Sequence, residues 1–85
     1  MAKEEGQLIG KISHYFGNIS VAVVDLSGTL KIGDTVRIVG GNTDFNQEVS
    51  SMEVDHKKVD SAKKGDSVGF KVSEKVRDDY RVYKI

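Results

Sequence analysis

Apolar residues in this chain recur at every second position in short runs, and turn-forming residues interrupt the runs every eight to twelve positions. Successive side chains of a strand point to opposite faces, so this period belongs to half-buried β-strands rather than to helices. Short strands with regular turn signals make a small sandwich or barrel. Val68, Phe70 and Val72 form the cleanest inward set, and Val36 and Ile38 form a second. The same alternation turns Leu8, Gly10 and Ile12 inward, and likewise Ile19, Val21 and Val23. Ile9, Val24 and Val39 then fall on the outer face, where a contiguous apolar trio would mark a protein-docking surface.

The joints between these runs are equally legible. LSGTLKIGD, 26–34, reads as a turn, a short strand and a second turn, and GGNTD, 40–44, as a loop. Between Phe45 and Val54 the alternation changes parity, which a β-bulge near Ser50 or Ser51 would repair. The polar run 56–66 reads as a loop, and the last strand as 80–85 after a charged turn at SEKVRDD. No internal repeat stands out. Without proline the chain lacks one common device for blunting edge strands, which favours a sheet closed on itself. The expected fold is all-β: a closed antiparallel barrel of about six strands. It forms one domain over 1–85, with 1–6 a disordered N-terminus.

Composition narrows the function. Eighty-five residues allow one core and no second domain. Thirteen basic residues balance thirteen acidic ones, so no global field draws the chain to nucleic acid or to an anionic membrane. There is no cysteine, which removes disulfides, thiol catalysis and thiolate zinc sites, and fits a cytoplasmic setting. MAKEEG lacks the apolar core of a signal peptide, and the longest apolar run, 19–26, is too short to span a bilayer.

Three motifs carry a family resemblance. GTLKIGDTVRIVG (28–40), VSSMEVD (49–55) and AKKGDSVGFKV (62–72) follow one another in the order and spacing of the second domain of elongation factor Tu and related translational GTPases, which they resemble. The resemblance covers most of residues 18–85 and implies that domain's barrel. The two Gly-Asp pairs have a structural reading. Gly33 and Gly65 supply positive φ at strand entries, and Asp34 and Asp66 accept backbone N–H bonds within the turns. No GTPase domain accompanies the motifs. GQLIGKIS, 6–13, has one residue too few for a phosphate loop and places Ile12 where Ser or Thr should bind magnesium, so no nucleotide is expected. The chain is similar to a free-standing accessory barrel, of the kind also appended to some U32-type peptidases.

Candidate sites divide between two partners. Enzymatic chemistry has little support: His14 and His56 are the only histidines, and the ExDH cluster of Glu53, Asp55 and His56 reads as a polar turn. No catalytic residue, cofactor or metal is expected. For RNA, the candidates are Lys57, Lys58, Lys63 and Lys64, together with His14 and Tyr15 as a stacking platform. Against this, acidic neighbours dilute the lysines, and strand parity would let Phe16 cap the barrel while His14 lines its rim. A second basic group, including Lys75 and Arg77, is diluted by Glu74, Asp78 and Asp79. For a protein partner, the candidates are Ile9, Val24 and Val39. The resemblance implies a non-catalytic module contacting tRNA, rRNA or a translation-associated protein. The alternative is a protein–protein adapter barrel acting in trans.

Overall fold

The computed structural model describes residues 7–85, so the expectation for 1–6 lies outside the described residues. Among the described residues there are ten strands, where about six were expected, and no helix: β1 (Gln7–Phe16), β2 (Val21–Leu26), β3 (Leu30–Lys31), β4 (Thr35–Gly40), β5 (Thr43–Glu48), β6 (Met52–Val54), β7 (Lys57–Val59), β8 (Ser61–Ala62), β9 (Ser67–Lys71) and β10 (Arg81–Lys84). Eight of them form one sheet in the order β5-β4-β10-β1-β2-β9-β6-β7, and β3 pairs separately with β8. All pairings are antiparallel, which the short connections require for the β1–β2, β4–β5 and β6–β7 hairpins.

β1 occupies the middle of the sheet and decides which residues are inside. Its register slips between Leu8 and Gly10 against β10, and between Ile12 and His14 against β2. Each bulge sets two residues against one and shifts the alternation downstream. Ile9 and Ile12 therefore both point into the core although they are three apart, each 1% exposed, while Leu8 is 43% exposed. This corrects the expectation that Leu8 faces inward and Ile9 outward.

β2 is corrected in the same sense. Ala22, Val24 and Leu26 are buried, Val21 and Val23 are half-buried, and Ile19 lies exposed in the turn before the strand. Ala22 opposes Phe70 and Val24 opposes Val68, so the unambiguous inward face of β9 fixes the face of β2. In β2 both parities are apolar, so its own sequence could not choose. With Ile9 and Val24 in the core and Val39 half-buried on β4, the anticipated outer trio does not exist.

The Gly-Asp turns match their expected geometry and reveal a repeat that the sequence reading missed. Gly33 and Gly65 both have φ of 96°. Asp34 Oδ2 accepts from Lys31 N–H at 2.9 Å, and Asp66 Oδ2 from Lys63 N–H at 3.1 Å. Each turn also clasps a buried residue of a neighbouring segment with two main-chain bonds. Gly33 N–H donates to the Val49 carbonyl and Val49 N–H to that of Asp34, while Gly65 N–H donates to the Leu26 carbonyl and Leu26 N–H to that of Asp66. The strands leading into the turns, β3 and β8, pair with each other. LKIGDTVRI (30–38) and AKKGDSVGF (62–70) are thus two copies of one strand–turn–strand unit related by a local two-fold arrangement. The two copies share Lys, Gly, Asp and Val at matching positions, but the common stretch is only a few residues long, and it is the β3–β8 pairing that makes the relation structural.

Two connections also differ from expectation. Chain 56–66 contributes β7 and β8 instead of a loop, because Asp55 and His56 both take positive φ (55° and 67°) and close a tight β6–β7 hairpin. The parity change before Met52 comes from a break in the strand, not a bulge. β5 ends at Glu48, and the buried Val49 joins the Gly33–Asp34 clasp before β6 begins.

Among the described residues the ladder ends at β5 on one side and β7 on the other. β6 reaches β9 only at Val68 and Gly69, so the later part of β9 extends past it. There Gln47 of β5 spans the seam: its Nε2 donates to the Lys71 carbonyl at 2.7 Å and its Oε1 accepts from Ser73 N–H at 2.8 Å. One side-chain amide thus occupies the role of a peptide group in a ladder. Gln47→Ala is expected to cost about 1–2 kcal/mol, two ordinary hydrogen bonds, in urea denaturation. Hydrogen exchange should rise at Ser73; an unchanged midpoint would mean that water replaces the amide without loss.

Candidate functional site

The seam opens at one end into a cleft of about 740 Å³. Tyr15 and Gly17 line it from the β1 end, Thr43 from the start of β5, and Lys75–Asp78 with Tyr80 from the segment before β10. That segment is anchored by Val76, which is 3% exposed. Main-chain bonds also hold it: Asp79 N–H donates to the Ile12 carbonyl at 2.7 Å, and Ile12 N–H to that of Tyr80 at 2.8 Å. Tyr80 lies flat over Gly40, where an added Cβ would stand 2.2 Å from the ring, so only glycine lets the ring form this wall. Two aromatic rings, one buried valine, two cations and one carboxylate therefore share the lining of the cleft.

The sequence-selected residues are distributed otherwise. The bulge after Ile12 turns Tyr15 toward the core, half-buried, and places His14 and Phe16 outside with ring centroids 4.5 Å apart at 59°. The expected pairing of Tyr15 with His14 is thus corrected to His14 with Phe16, and Phe16, at 43% exposure, caps nothing. Lys57 and Lys58 sit on β7 at the far ladder edge, with Lys58 opposite Glu53. Lys63 and Lys64 occupy the first two positions of the second Gly-Asp turn. Following the ladder from His14 through Val23, Gly69 and Glu53 to Lys58 crosses four strand spacings, roughly 19 Å. Along the ladder, Lys57 and Lys58 therefore lie apart from the aromatic pair.

The residues that do form the cleft were hard to single out. Lys75, Val76 and Arg77 lie in a charged run whose one apolar member signals that the segment is tied down, but nothing in the sequence links it to Tyr15 or Thr43. Among the described residues no group of three or more His, Asp and Glu side chains could hold a metal ion. Nor, among those residues, is any helix long and apolar enough to cross a membrane.

A shallower depression lies beside Arg37, Asp44, Phe45 and Asn46. Arg37 Nε donates to Asp44 Oδ1 at 2.7 Å, and Nη2 donates to Oδ2. This hydrogen bonding to the guanidinium holds the Asp44 carboxyl below its ordinary 3.8, with the cation's charge adding to it. A depressed folded pKa means that the unfolded state binds the proton more readily. The pair's contribution is therefore present above 3.8 and lost as pH falls through the lower folded value. Denaturation midpoints followed downward from about pH 5 should fall more steeply for the native chain than for Asp44→Asn; parallel curves would show that the pair adds nothing.

Comparison with known proteins gives a consistent result. The family model described as elongation factor Tu domain 2 matches residues 21–82. An uncharacterized protease of Methanocaldococcus jannaschii is 45% identical over 76 residues, which is 88% of this chain and 19% of that protein. A collagenase of Porphyromonas gingivalis is 35% identical over 78 residues, 89% of this chain and 22% of that protein. The chain thus spans about a fifth of the length of the curated relatives it matches. Among solved structures, the C-terminal domain of a Geobacillus thermoleovorans protein described as a U32 peptidase superposes with a TM-score of 0.88. That match has 21% identity and covers 92% of this chain and 99% of that one.

Proposed function

Because the chain belongs to the elongation factor Tu domain 2 family, we propose that it is a binding barrel of the kind that accompanies U32-type peptidases, supplying protein contacts to a catalytic region that lies outside these 85 residues. The observation that carries this reading is the protease relative at 45% identity, whose match takes in 88% of this chain but only 19% of its own length. The match leaves about four-fifths of that protein uncovered, and in this reading the catalytic machinery lies there while the barrel docks or presents. The translation reading implied by the family resemblance has less behind it. Lys57 and Lys58 stand on a different part of the sheet from the aromatic pair, and the charge of the chain is balanced.

The test is a transplant. The M. jannaschii protease with its matching segment deleted is mixed with this chain, and association is measured by analytical ultracentrifugation; in parallel, this chain replaces the deleted segment. Binding in trans, or recovery in the chimera of the stability and peptide hydrolysis that the deletion loses, is the expected result. A chimera no better than the deletion, with no association in trans, would overturn the reading.

A further inference from the structure

The two edges of the sheet are not equivalent. β7 is three residues long and carries Lys57 and Lys58, two devices by which edge strands resist adding another strand. β5 runs for six residues without lysine or proline, and its Asp44 is engaged by Arg37 of β4. Across the seam, Gln47 ties only the later part of β5 to Lys71 and Ser73. The first residue of β5, Thr43, borders the cleft, and Asp44, Phe45 and Asn46 border the shallower depression beside Arg37.

We propose that this edge takes an extended, acidic peptide segment of a partner protein, added as a strand along Thr43–Asn46. One apolar side chain seats between Tyr15 and Tyr80 on Val76, and a carboxylate two residues along meets Lys75 and Arg77. The main-chain edge supplies affinity without regard to sequence, and the cleft supplies selection at alternate side chains, which point to one face. Charge decides the sign of that selection. Lys75 and Arg77 exceed the single carboxylate in the lining, Asp78, while Glu74 and Asp79 lie outside it and Asp44 is already paired. The guanidinium can hold a carboxylate through two parallel bonds.

The inference rests on the accessory-barrel reading only for the nature of the partner. It is tested on the 85-residue chain by amide NMR titration with the acetylated, amidated hexapeptide TFTETV. The controls are its lysine counterpart TFTKTV and a copy N-methylated at alternate residues. The expected result is shifts at Thr43–Asn46, Gly17 and Val76–Asp78, affinity about 10-fold lower for the lysine peptide, and loss of binding on methylation. Arg77→Glu should reverse the charge preference. Equal affinity for both charged peptides, indifference to methylation, shifts elsewhere, or stronger shifts of the same amides by total tRNA would each overturn it. A chain that binds TFTETV but neither associates with the deleted protease nor restores the chimera refutes the accessory reading alone. The opposite pattern refutes the strand-addition site alone.

Discussion

Ile9→Ala is expected to cost about 2–5 kcal/mol, the range for deleting a large aliphatic side chain from a packed core. Ile9 is the bulged residue of β1 and is 1% exposed, with its carbonyl accepting from Ser27 N–H at 2.7 Å. Its side chain also lies against Gly28, where an added Cβ would come within 3.2 Å of Ile9 Cγ2. Little can move in to fill the space, because the backbone of the neighbouring turn is fixed by that hydrogen bond. The matched control is Leu8→Ala, one residue earlier and 43% exposed, expected to cost under about 1 kcal/mol. In urea denaturation the two variants should separate clearly. Simple alternation predicts the opposite order, so a larger loss at Leu8 would disprove the bulge.

Gly10→Ala is expected to destabilise by about 1–3 kcal/mol, at the upper end of that range. An added Cβ would stand 2.6 Å from the Asp25 carbonyl oxygen and 2.8 Å from Val24 Cγ1. Gly10 is hemmed in on both sides, opposite Leu26 of β2 and Val82 of β10. The clash falls on backbone, and β2 cannot withdraw without pulling fully buried Val24 out of the core. Gly69→Ala is the contrasting case. Its Cβ would meet nothing nearer than Val21 Cγ1 at 3.4 Å, and replacing a strand glycine there should leave stability unchanged or raise it by up to about 1 kcal/mol. Thermal denaturation of the two variants gives the comparison directly. Equal losses would show that the close approach of β1 and β2 at Gly10 is not what requires glycine.

What the sequence by itself determined are the features written in a few consecutive residues. The Gly-Asp turns at 33–34 and 65–66 were legible because glycine's positive φ and an aspartate's reach to a nearby N–H are local requirements. The inward faces of β4 and β9 were legible because residues such as Arg37, Gly69 and Lys71 separate their apolar neighbours. Together these were enough for the all-β class and for the family.

Tertiary structure decided the rest. β2 is apolar on both parities, so its inward face was settled by β9 opposite it, and β1 was re-aimed by two bulges that no local signal marks. The anticipated docking trio lost Val24 to the first effect and Ile9 to the second, and the His14–Tyr15 platform failed through the second. The cleft gathers Tyr15, Thr43 and Tyr80 from segments far apart in the chain, and Gln47 finds its partners at residues 71 and 73. Backbone preference is set within a turn's length. Which side of an apolar strand is buried, and which distant groups meet at a seam, depends on partners that only the closing of long loops brings together.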